Sequence, residues 1–280
     1  MNEMPCSWTA TQKQRLQELN APREVLERTF SGHDERNRAF HQLEDSLAKK
    51  ARKNLVELRN TFRRSRLSRL QDELTKALTE QGFVQVTTPH ILAKGLLAKM
   101  SITEKHPLFK QVYWVDKNRC LRPMLAPNLY YLLRLLEGIW EKPIKIFEIG
   151  SCFRKESEGT DHLTEFTMLN LVELGTEKEQ REQRLAEMAE LVMGVVGISG
   201  YRITRKQCAV YGETIDVLAG IEVGSGAMGP HPLDSGWGLV DPWVGIGFGL
   251  ERLLKVREGN ANIRRFGRSL IYLDGERLNV

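Results

Sequence analysis

The 280-residue sequence lacks the features that mark three common classes of protein. Its four cysteines, Cys6, Cys120, Cys152 and Cys208, lie far apart and form no C-x-x-C pair, so neither a zinc site nor a disulfide framework is indicated. No run approaches the roughly 18–20 apolar residues of a membrane helix, and residues 1–8 contain no apolar core of the signal-peptide type. We therefore expect a cytoplasmic protein that binds no zinc and has no membrane partner.

The chain has enough apolar residues for a core, and a surplus of positive charge. Hydrophobic residues make up 41% of it, which allows at least one sizeable core. Lys and Arg number 41 against 36 Asp and Glu, for a formal net charge of +5. Nine of the basic residues lie within 49–69 and seven within 252–280, which suits a polyanion such as a nucleic acid. A run of charge is more often a solvated helix face, so both interpretations stay open.

The hydrophobic pattern predicts helices in the first third of the chain. Apolar residues recur at three- and four-residue steps over 40–62, which indicates one long amphipathic helix or two shorter ones. A second such pattern covers 67–78 and ends near Gly82, the expected C-terminal cap. A strand-like run, 83–88, follows directly and is stopped by Pro89.

The rest of the chain alternates between strand and helix patterns. Strands are predicted at 111–116, 145–149, 166–174 and 244–249, a hairpin at 210–217 and 220–228, and helices at 128–139, 185–196 and 250–255. Turns of hairpin length join the strands as often as helices do. This favours an α+β fold with an antiparallel sheet over a doubly wound parallel sheet.

A strand with three glycines, followed by an arginine, is the first candidate site. Gly245, Gly247 and Gly249 alternate, so all three lie on one side of the strand and leave room for a flat ligand against the backbone. Arg252 then lies in the first turn of a helix, where a guanidinium and backbone N–H groups favour phosphate. The alternative is a close packing contact between the strand and the helix. The spacing does not fit a dinucleotide fingerprint, because the third glycine comes one residue early.

The second candidate is Arg154-Lys155-Glu156 at the end of a predicted strand. Arg154 and Glu156 are two residues apart and share a face, so together they can hold a nucleotide at its phosphate and at its base. Taken alone, such a pair is usually a surface ion pair. Its weight comes from the loop and the long antiparallel strand that follow it.

In their order along the chain, these patterns resemble the three signature motifs of the class II aminoacyl-tRNA synthetases. Residues 67–89 resemble motif 1, about 144–174 resemble motif 2 and about 243–255 resemble motif 3. Each motif alone is weak, whereas the order and spacing of all three are specific. The resemblance implies an antiparallel sheet flanked by helices, preceded by an N-terminal helical segment.

Three further stretches narrow the resemblance to the catalytic domain of the pyrrolysyl-tRNA synthetases. They are Leu121–Tyr130, Glu165–Leu171 and Tyr211–Asp216. The resemblance covers roughly residues 67–280, and the N-terminal helices look most like those of the bacterial form. In that form the extra tRNA-binding domain, which carries the family's zinc site, is a separate small protein and a possible further partner.

The resemblance divides the chain into three parts and implies a function for each. Residues 1–66 are expected to contact tRNA, 67–255 to form the catalytic core and 256–280 to form a basic tail. The implied enzyme is an ATP-dependent ligase that activates pyrrolysine as an aminoacyl-adenylate and transfers it to the 3′ end of an amber-suppressor tRNA. Homodimerisation through motif 1 is also implied. Two other functions stay open: a class II synthetase for another amino acid such as phenylalanine, and a non-catalytic RNA-binding paralogue.

The implied site residues fall into four groups. Arg154 and Arg252 are the catalytic pair. The ATP-binding group is Arg154, Glu156, His162, Leu163, Phe166, Glu222, Ser225 and Arg252. The amino-acid-binding group is Ala126, Leu129, Tyr130, Leu133, Met168, Asn170, Val172, Tyr211, Ser225, Trp243 and Gly245. The tRNA-binding group is Lys49, Lys50, Arg52, Lys53, Arg63, Arg64 and Arg66, to which we add the basic residues of the tail beyond Arg252.

Magnesium is the implied cofactor beside ATP, held by Glu222 and Ser225 through hard oxygen ligands. Gly224 and Gly226 flank Ser225, and we expect them to make this segment flexible.

Asn170 is the residue on which the substrate prediction depends. Its strand-mates Phe166, Met168 and Val172 are apolar, so a polar amide among them needs a partner. That partner is either nearby backbone or, as the resemblance implies, the side-chain amide of the substrate. Tyr211 is implied to close over the substrate as a lid.

Overall fold

The computed structural model describes residues 5–155, 162–208, 210, 212–259 and 262–279. Glu156 and Tyr211, two of the predicted site residues, lie outside these ranges. The strands are β1 Cys6–Ser7, β2 Thr29–Phe30, β3 Val84–Gln85, β4 Ile91–Ala93, β5 Arg119–Leu121, β6 Ile144–Phe153, β7 Glu165–Leu174, β8 Arg202–Cys208, β9 Gly212–Ala219, β10 Ile221–Gly229, β11 Trp243–Gly249, β12 Tyr272–Leu273 and β13 Glu276–Arg277. The helices are α1 Ala10–Glu18, α2 Arg23–Leu26, α3 His33–Glu57, α4 Arg66–Glu80, α5 Lys94–Lys99, α6 Pro107–Lys110, α7 Ala126–Leu136, α8 Arg181–Val196, α9 Asp234–Trp237 and α10 Leu250–Arg257.

A seven-stranded sheet forms the centre of the fold. Its strand order is β3-β6-β7-β11-β10-β9-β8, and every neighbouring pair is antiparallel except β3 and β6, which are parallel. A single residue joins β9 to β10, whereas residues 230–242, which include α9, join β10 to β11. The predicted α+β class with an antiparallel sheet is therefore confirmed.

The two faces of the sheet are covered differently, because side chains alternate along each strand. Leu169 and Leu171 of β7 and Phe248 of β11 point to the face on which α4, α8 and α10 pack, and all three are buried there. Met168 and Val172 point to the opposite face, where α7 packs on β6 and β7. The first face is a closed apolar core, whereas the second holds the cavity described below.

The sequence explains where two helices of the core begin and end. In α4, Ser65 accepts a hydrogen bond from the backbone N–H of Ser68 at 3.2 Å, which caps the N-terminus. Leu70, Leu74 and Leu78 are spaced by one turn and are fully buried against the core. The chain leaves α8 through Gly197, whose φ of 75° suits glycine, as the glycine-capped helix end predicts.

A buried polar cluster joins the segment after β3, the loop before α7 and strand β6. The Arg122 guanidinium is 2.7 Å from the Glu148 carboxylate of β6, and both side chains are at most 2% exposed. The Thr88 backbone N–H and hydroxyl both donate to Glu148, at 3.1 and 2.6 Å. Asn128 of α7 donates to the Thr88 hydroxyl at 2.8 Å. A side chain at Gly150 would lie 2.2 Å from the Arg122 guanidinium, so this glycine leaves room for it.

Two strand predictions need correction. The strand predicted at 83–88 is only two residues long, because Thr88 donates to the Glu148 side chain and not to a neighbouring strand. The strand predicted at 111–116 is absent from the described residues, where α6 is followed by a loop with a single bridge, Trp114 to Cys120. Asp116 accepts from two backbone N–H groups at 2.8 Å, which makes a turn there. The edge strand β8 was not predicted.

The C-terminal segment fastens the N-terminal helices to the core. Arg265 donates to the carbonyl of Glu18 at 2.8 Å and is 3.6 Å from the carboxylate of Glu276, with a side chain only 1% exposed. Glu276 also accepts a hydrogen bond from Asn54 of α3 at 2.9 Å. The prediction that tail arginines contact tRNA is therefore wrong for Arg265, because its charge is used inside the protein.

The buried pair leads to a prediction about stability. Glu148→Ala leaves Arg122 buried without its counter-charge, which costs about 3–5 kcal/mol in the free energy of unfolding. Urea unfolding followed by circular dichroism measures this loss. The exposed ion pair of Lys76 and Glu80 is the control, and Lys76→Ala should leave the unfolding midpoint unchanged. Equal midpoints for Glu148→Ala and the wild type would contradict the prediction.

Candidate active site

One cavity of about 270 Å³ lies on the open face of the sheet, between β7, β10, β11 and α7. Its lining brings together every predicted ATP-binding and amino-acid-binding residue that the structure describes. They are Ala126, Leu129, Tyr130, Leu133, Arg154, His162, Leu163, Phe166, Met168, Asn170, Val172, Glu222, Ser225, Trp243, Gly245 and Arg252. Their individual roles stay predictions, while their convergence on one cavity is a property of the fold.

A row of residues crosses five strands on the cavity face. Glu148, Asn170, Gly247, Ser225 and Asp216 are direct register partners from β6 to β9. Directly opposed residues of antiparallel strands share a face, so this row places polar groups side by side under the cavity. A Cβ at Gly247 would lie 2.8 Å from Asn170 Oδ1, so glycine keeps the space around that amide open.

The glycines beside Ser225 serve packing. A Cβ at Gly224 would lie 2.5 Å from the Phe248 ring, and one at Gly226 would lie 2.9 Å from Leu185 of α8. Both backbone positions are paired on both sides within the sheet. The expectation that these glycines loosen the segment is therefore wrong, because the core leaves no room for a larger side chain there.

Asn170 presents an unpartnered acceptor to the cavity. Its Oδ1 is buried and has no hydrogen-bond partner among the described residues. A buried amide oxygen without a partner costs free energy, and in native proteins this usually marks a place where a ligand or water binds. The neighbours Met168, Val172 and Leu129 offer no hydrogen bond, so any partner comes from the cavity itself.

An aromatic group closes the apolar end of the cavity. Tyr130 stacks on Trp237, with ring centres 5.3 Å apart, and meets Trp243 edge-on, also at 5.3 Å. Asp234 accepts a hydrogen bond from the Trp243 indole at 2.9 Å and from the backbone N–H of His231 at 2.6 Å. Burial raises the pKa of Asp234, and these hydrogen bonds oppose the shift. Asp234 was not predicted. Its place between Leu233 and Trp237 is the sequence feature that could have indicated a buried acid.

The polar end of the cavity holds the two predicted arginines. The Nε of Arg154 donates to the carbonyl of Pro123 at 2.8 Å, and the guanidinium lies 5.2 Å from the centre of the Phe166 ring. Arg252 donates to the backbone carbonyl of Glu222 at 3.2 Å and is 3.7 Å from its carboxylate. Both cations are fixed in direction by backbone carbonyls and still line the cavity.

The predicted magnesium ligands, Glu222 and Ser225, both line the cavity because β10 carries a bulge. Residues three apart point to opposite faces in a regular strand, and the register shift between Glu222 and Gly224 corrects this. Ser225 donates to Asp216 Oδ1 at 2.7 Å, which leaves the lone pairs of its oxygen free to accept. A carboxylate and a hydroxyl are hard oxygen donors, so these residues fit Mg²⁺ as part of a larger ligand set.

Glu251 is a buried acid that sequence reasoning missed. It follows Leu250 in the first turn of α10, where an acid is ordinarily taken for a solvent-exposed helix residue. Instead its carboxylate accepts the backbone N–H of Thr167 at 2.9 Å and is 1% exposed. Arg268 of the tail donates to the Thr167 hydroxyl at 3.1 Å. Motif 3 and the tail thus hold β7 beside Phe166.

The predicted tRNA-binding residues occupy different settings. Lys49, Lys50, Arg52 and Lys53 are exposed along the second half of α3, and Arg63 is exposed after it. Arg64 pairs with Asp72, and Arg66 donates to the carbonyl of Asp274 at 2.8 Å. In the tail, Arg268 is 3.2 Å from Glu165, and Arg277 pairs with Glu18. The exposed cations therefore concentrate on α3.

The burial of Glu251 leads to a prediction about pH. Burial raises its pKa from 4.5 to about 7, so the folded chain keeps a proton that the unfolded chain releases. This contribution to stability is complete below the unfolded pKa and is lost as the pH rises through about 7. In the wild type this group should lower the free energy of unfolding by about 3 kcal/mol between pH 4.5 and about pH 7. Glu251→Gln should abolish that decrease. Urea unfolding at several pH values measures it, and an exposed control, Glu80→Gln, should follow the wild type.

A family model described as "tRNA synthetases class II core domain (F)" matches residues 53–274, well over half of the chain. Curated relatives include two lysine–tRNA ligases. That of Carboxydothermus hydrogenoformans is 39% identical over 117 residues, which is 41% of this chain and 21% of the relative. That of Thiobacillus denitrificans is 34% identical over 139 residues, which is 48% of this chain and 25% of the relative. The chain spans about a fifth to a quarter of the length of these relatives.

Two solved structures from Desulfitobacterium hafniense match nearly the whole fold. The crystal structure of pyrrolysyl-tRNA synthetase is 55% identical, with a TM-score of 0.94, and the match covers 98% of this chain and 99% of that one. The structure of PylSc, a pyrrolysyl tRNA synthetase, is 53% identical, with a TM-score of 0.92 and coverage of 100% and 98%. The resemblance drawn from the three motifs is confirmed: the chain belongs to the class II aminoacyl-tRNA synthetases and, within them, to the pyrrolysyl-tRNA synthetases.

Proposed function

We propose that this enzyme activates pyrrolysine, a lysine with a bulky acyl group on its side-chain nitrogen, and attaches it to the 3′ end of an amber-suppressor tRNA. The observation that carries the proposal is the buried, unpartnered Oδ1 of Asn170 in an otherwise apolar cavity. The N–H of a side-chain amide in the substrate can supply the donor that this oxygen lacks, or the carbonyl of that amide can accept from the Asn170 amide nitrogen. The apolar wall of Tyr130, Leu133 and Trp243 then surrounds the bulky acyl group.

The reaction needs alignment and charge neutralisation more than a protein nucleophile. The substrate carboxylate attacks the α-phosphorus of ATP in line, and pyrophosphate leaves. Arg154 holds the carboxylate and the α-phosphate together, and Phe166 stacks on the adenine ring. Arg252 takes the charge of the leaving phosphates, and Gly245, Gly247 and Gly249 let the ligand lie against the backbone.

Class II synthetases use ATP and Mg²⁺. In this chain Glu222 and Ser225 are the proposed ligands, and Asp216 fixes the Ser225 hydroxyl. Glu222 and Ser225 would hold the ion, and when bound it would supply positive charge to neutralise the phosphates. Among the described residues no cluster of three or more His, Cys, Asp or Glu side chains could hold a metal by itself, so we propose that the nucleotide contributes ligands.

Lysine is the second candidate substrate, because the curated relatives are lysine–tRNA ligases. A lysine ammonium needs an acid at the far end of the pocket. Asp234 is a buried acid beside Trp243, but it does not line the cavity, and its Oδ2 accepts hydrogen bonds from the Trp243 indole and from the His231 backbone. The acylated lysine is therefore the substrate that the wall fits better.

We further propose that the enzyme works as a cytoplasmic homodimer built through motif 1. β3 is the edge strand of the central sheet, so one side of it has no partner strand within the described part of the chain. Val84 of β3 and Ile91 of β4 are 45% and 49% exposed, which is high for β-branched apolar residues beside an edge. Covering such an edge removes a surface that would otherwise promote aggregation. No helix among the described residues is long and apolar enough to cross a membrane.

Pyrophosphate exchange with three amino acids tests the substrate assignment. The wild type should exchange with an Nε-acylated lysine and far less with lysine or phenylalanine. Asn170→Ala combined with Val172→Phe should shift the preference toward aromatic amino acids, because the amide contact is lost and the cavity is reshaped. Arg154→Ala is the matched control, since it should abolish exchange with every amino acid. An unchanged substrate profile in the double variant would overturn the assignment of this pocket.

Filter binding of the cognate tRNA at several salt concentrations tests the tRNA surface. Replacing Lys49, Lys50, Arg52 and Lys53 by Gln should weaken binding. It should also reduce the slope of log K against log salt concentration, by up to about 3–4 in magnitude. Glutamine replacements at four exposed lysines on other elements, Lys76, Lys105, Lys117 and Lys178, provide the control. If both quadruple variants bind as the wild type does, the cations on α3 form a solvated helix face and do not contribute to tRNA binding.

A further inference from the structure

Lys206 of β8 lies on the oxygens that the proposed metal site uses. Its ammonium is 3.1 Å from Glu222 Oε2 and 3.2 Å from Asp216 Oδ2. Asp216 accepts the Ser225 hydroxyl through its other oxygen, and Glu222 faces Arg252 through its other oxygen. One lysine therefore bridges both acids of the site from the edge of the sheet.

The charges of this site balance without a metal. Two cations, Lys206 and Arg252, face two carboxylates, and Asp216 is 2% exposed. A carboxylate as buried as Asp216 is stabilised by an adjacent cation. A divalent ion at Glu222 brings positive charge within a few ångströms of the Lys206 ammonium, and the two repel each other there.

We propose that Lys206 is a positioning residue that competes with Mg²⁺ for Glu222 and holds the metal ligands in place until ATP arrives. The lysine neutralises the acids in the free enzyme and disfavours metal binding in the absence of nucleotide. When the metal enters together with the phosphates, the nucleotide supplies both extra ligands and negative charge, and the ammonium can leave Glu222. Metal binding and ATP binding are coupled in this way.

The inference rests on the proposed role of Glu222 and Ser225 as metal ligands under the proposed function. Lys206 is 59% exposed, so its replacement leaves no large cavity, and the competing interaction is of surface strength. Each exposed ion pair is worth up to about 1 kcal/mol, and we therefore expect a change of roughly three- to tenfold in metal affinity.

Binding of Mn²⁺ to the full chain without nucleotide, followed by electron paramagnetic resonance, tests the proposal. Lys206→Met should bind Mn²⁺ roughly three- to tenfold more tightly than the wild type, and Lys206→Arg should behave as the wild type. Arg205→Met is the matched control, because Arg205 is the adjacent residue of β8 and pairs with Glu182 instead. Glu222→Gln should weaken Mn²⁺ binding in both backgrounds.

A second measurement does not depend on the metal affinity alone. Without its bridging cation, the Lys206→Met variant should melt at a lower temperature than the wild type. MgCl₂ should raise the melting temperature of this variant by more than it raises that of the wild type. Equal Mn²⁺ affinities and equal responses to MgCl₂ in Lys206→Met and the wild type would overturn the inference. So would Mn²⁺ binding that Glu222→Gln leaves unchanged. Pyrophosphate exchange by the wild type is measured separately, and its absence would instead count against the proposed function.

Discussion

The buried contact of Arg122 with Glu148 and Thr88 is the interaction on which the active site depends. It joins the end of motif 1, the loop before α7 and the strand of motif 2 at one point, and Asn128 adds α7 to it. Burying two opposite charges is costly unless every donor and acceptor is used, and here the carboxylate accepts the Thr88 hydroxyl and backbone N–H together with the guanidinium. Because β6 is fixed against motif 1, the cavity face of β6 and β7 has a defined position relative to α7.

Strand alternation and turn length predicted the class of fold, and the resemblance to the family supplied sixteen of the residues that line the cavity. Alternation along the strand, for example, places on one face Phe166, Met168, Asn170 and Val172. Glu148 and Glu251 were not predicted, because each is an acid whose partners lie far away in sequence. Asp216 and Asp234 have partners within ten residues, but a turn or loop separates them from those partners, so no strand or helix period links them. The Glu251 partner, for example, is the Thr167 backbone, 84 residues earlier. Isolated acids ordinarily belong to the surface, and only the fold shows that these four are enclosed.

The β-bulge in β10 shows a second limit of reading a sequence by period. In a regular strand, side chains alternate between the two faces, so Glu222 and Ser225 would point to opposite faces. That arrangement would separate the proposed metal ligands. The register shift between Glu222 and Gly224 brings both to the cavity. Nothing in the local composition distinguishes this bulge from the glycines that pack against Phe248 and Leu185. The resemblance to the family groups the two residues, and the fold places both at the cavity, where periodicity alone would have divided them.

The two ends of the cavity handle charge in opposite ways, and this difference bears on specificity. At the polar end, Arg154, Arg252 and Glu222 all line the cavity, an arrangement that suits a polyanion and a cation. At the apolar end, the Asp234 carboxylate is engaged by the Trp243 indole and the His231 backbone. Asn170 lies between the two ends and offers a neutral amide. No acid among the described residues lines the cavity at its apolar end, so an ammonium would lose its hydration there without a counter-charge in the lining. An amide exchanges hydrogen bonds with water for hydrogen bonds with Asn170 at little cost.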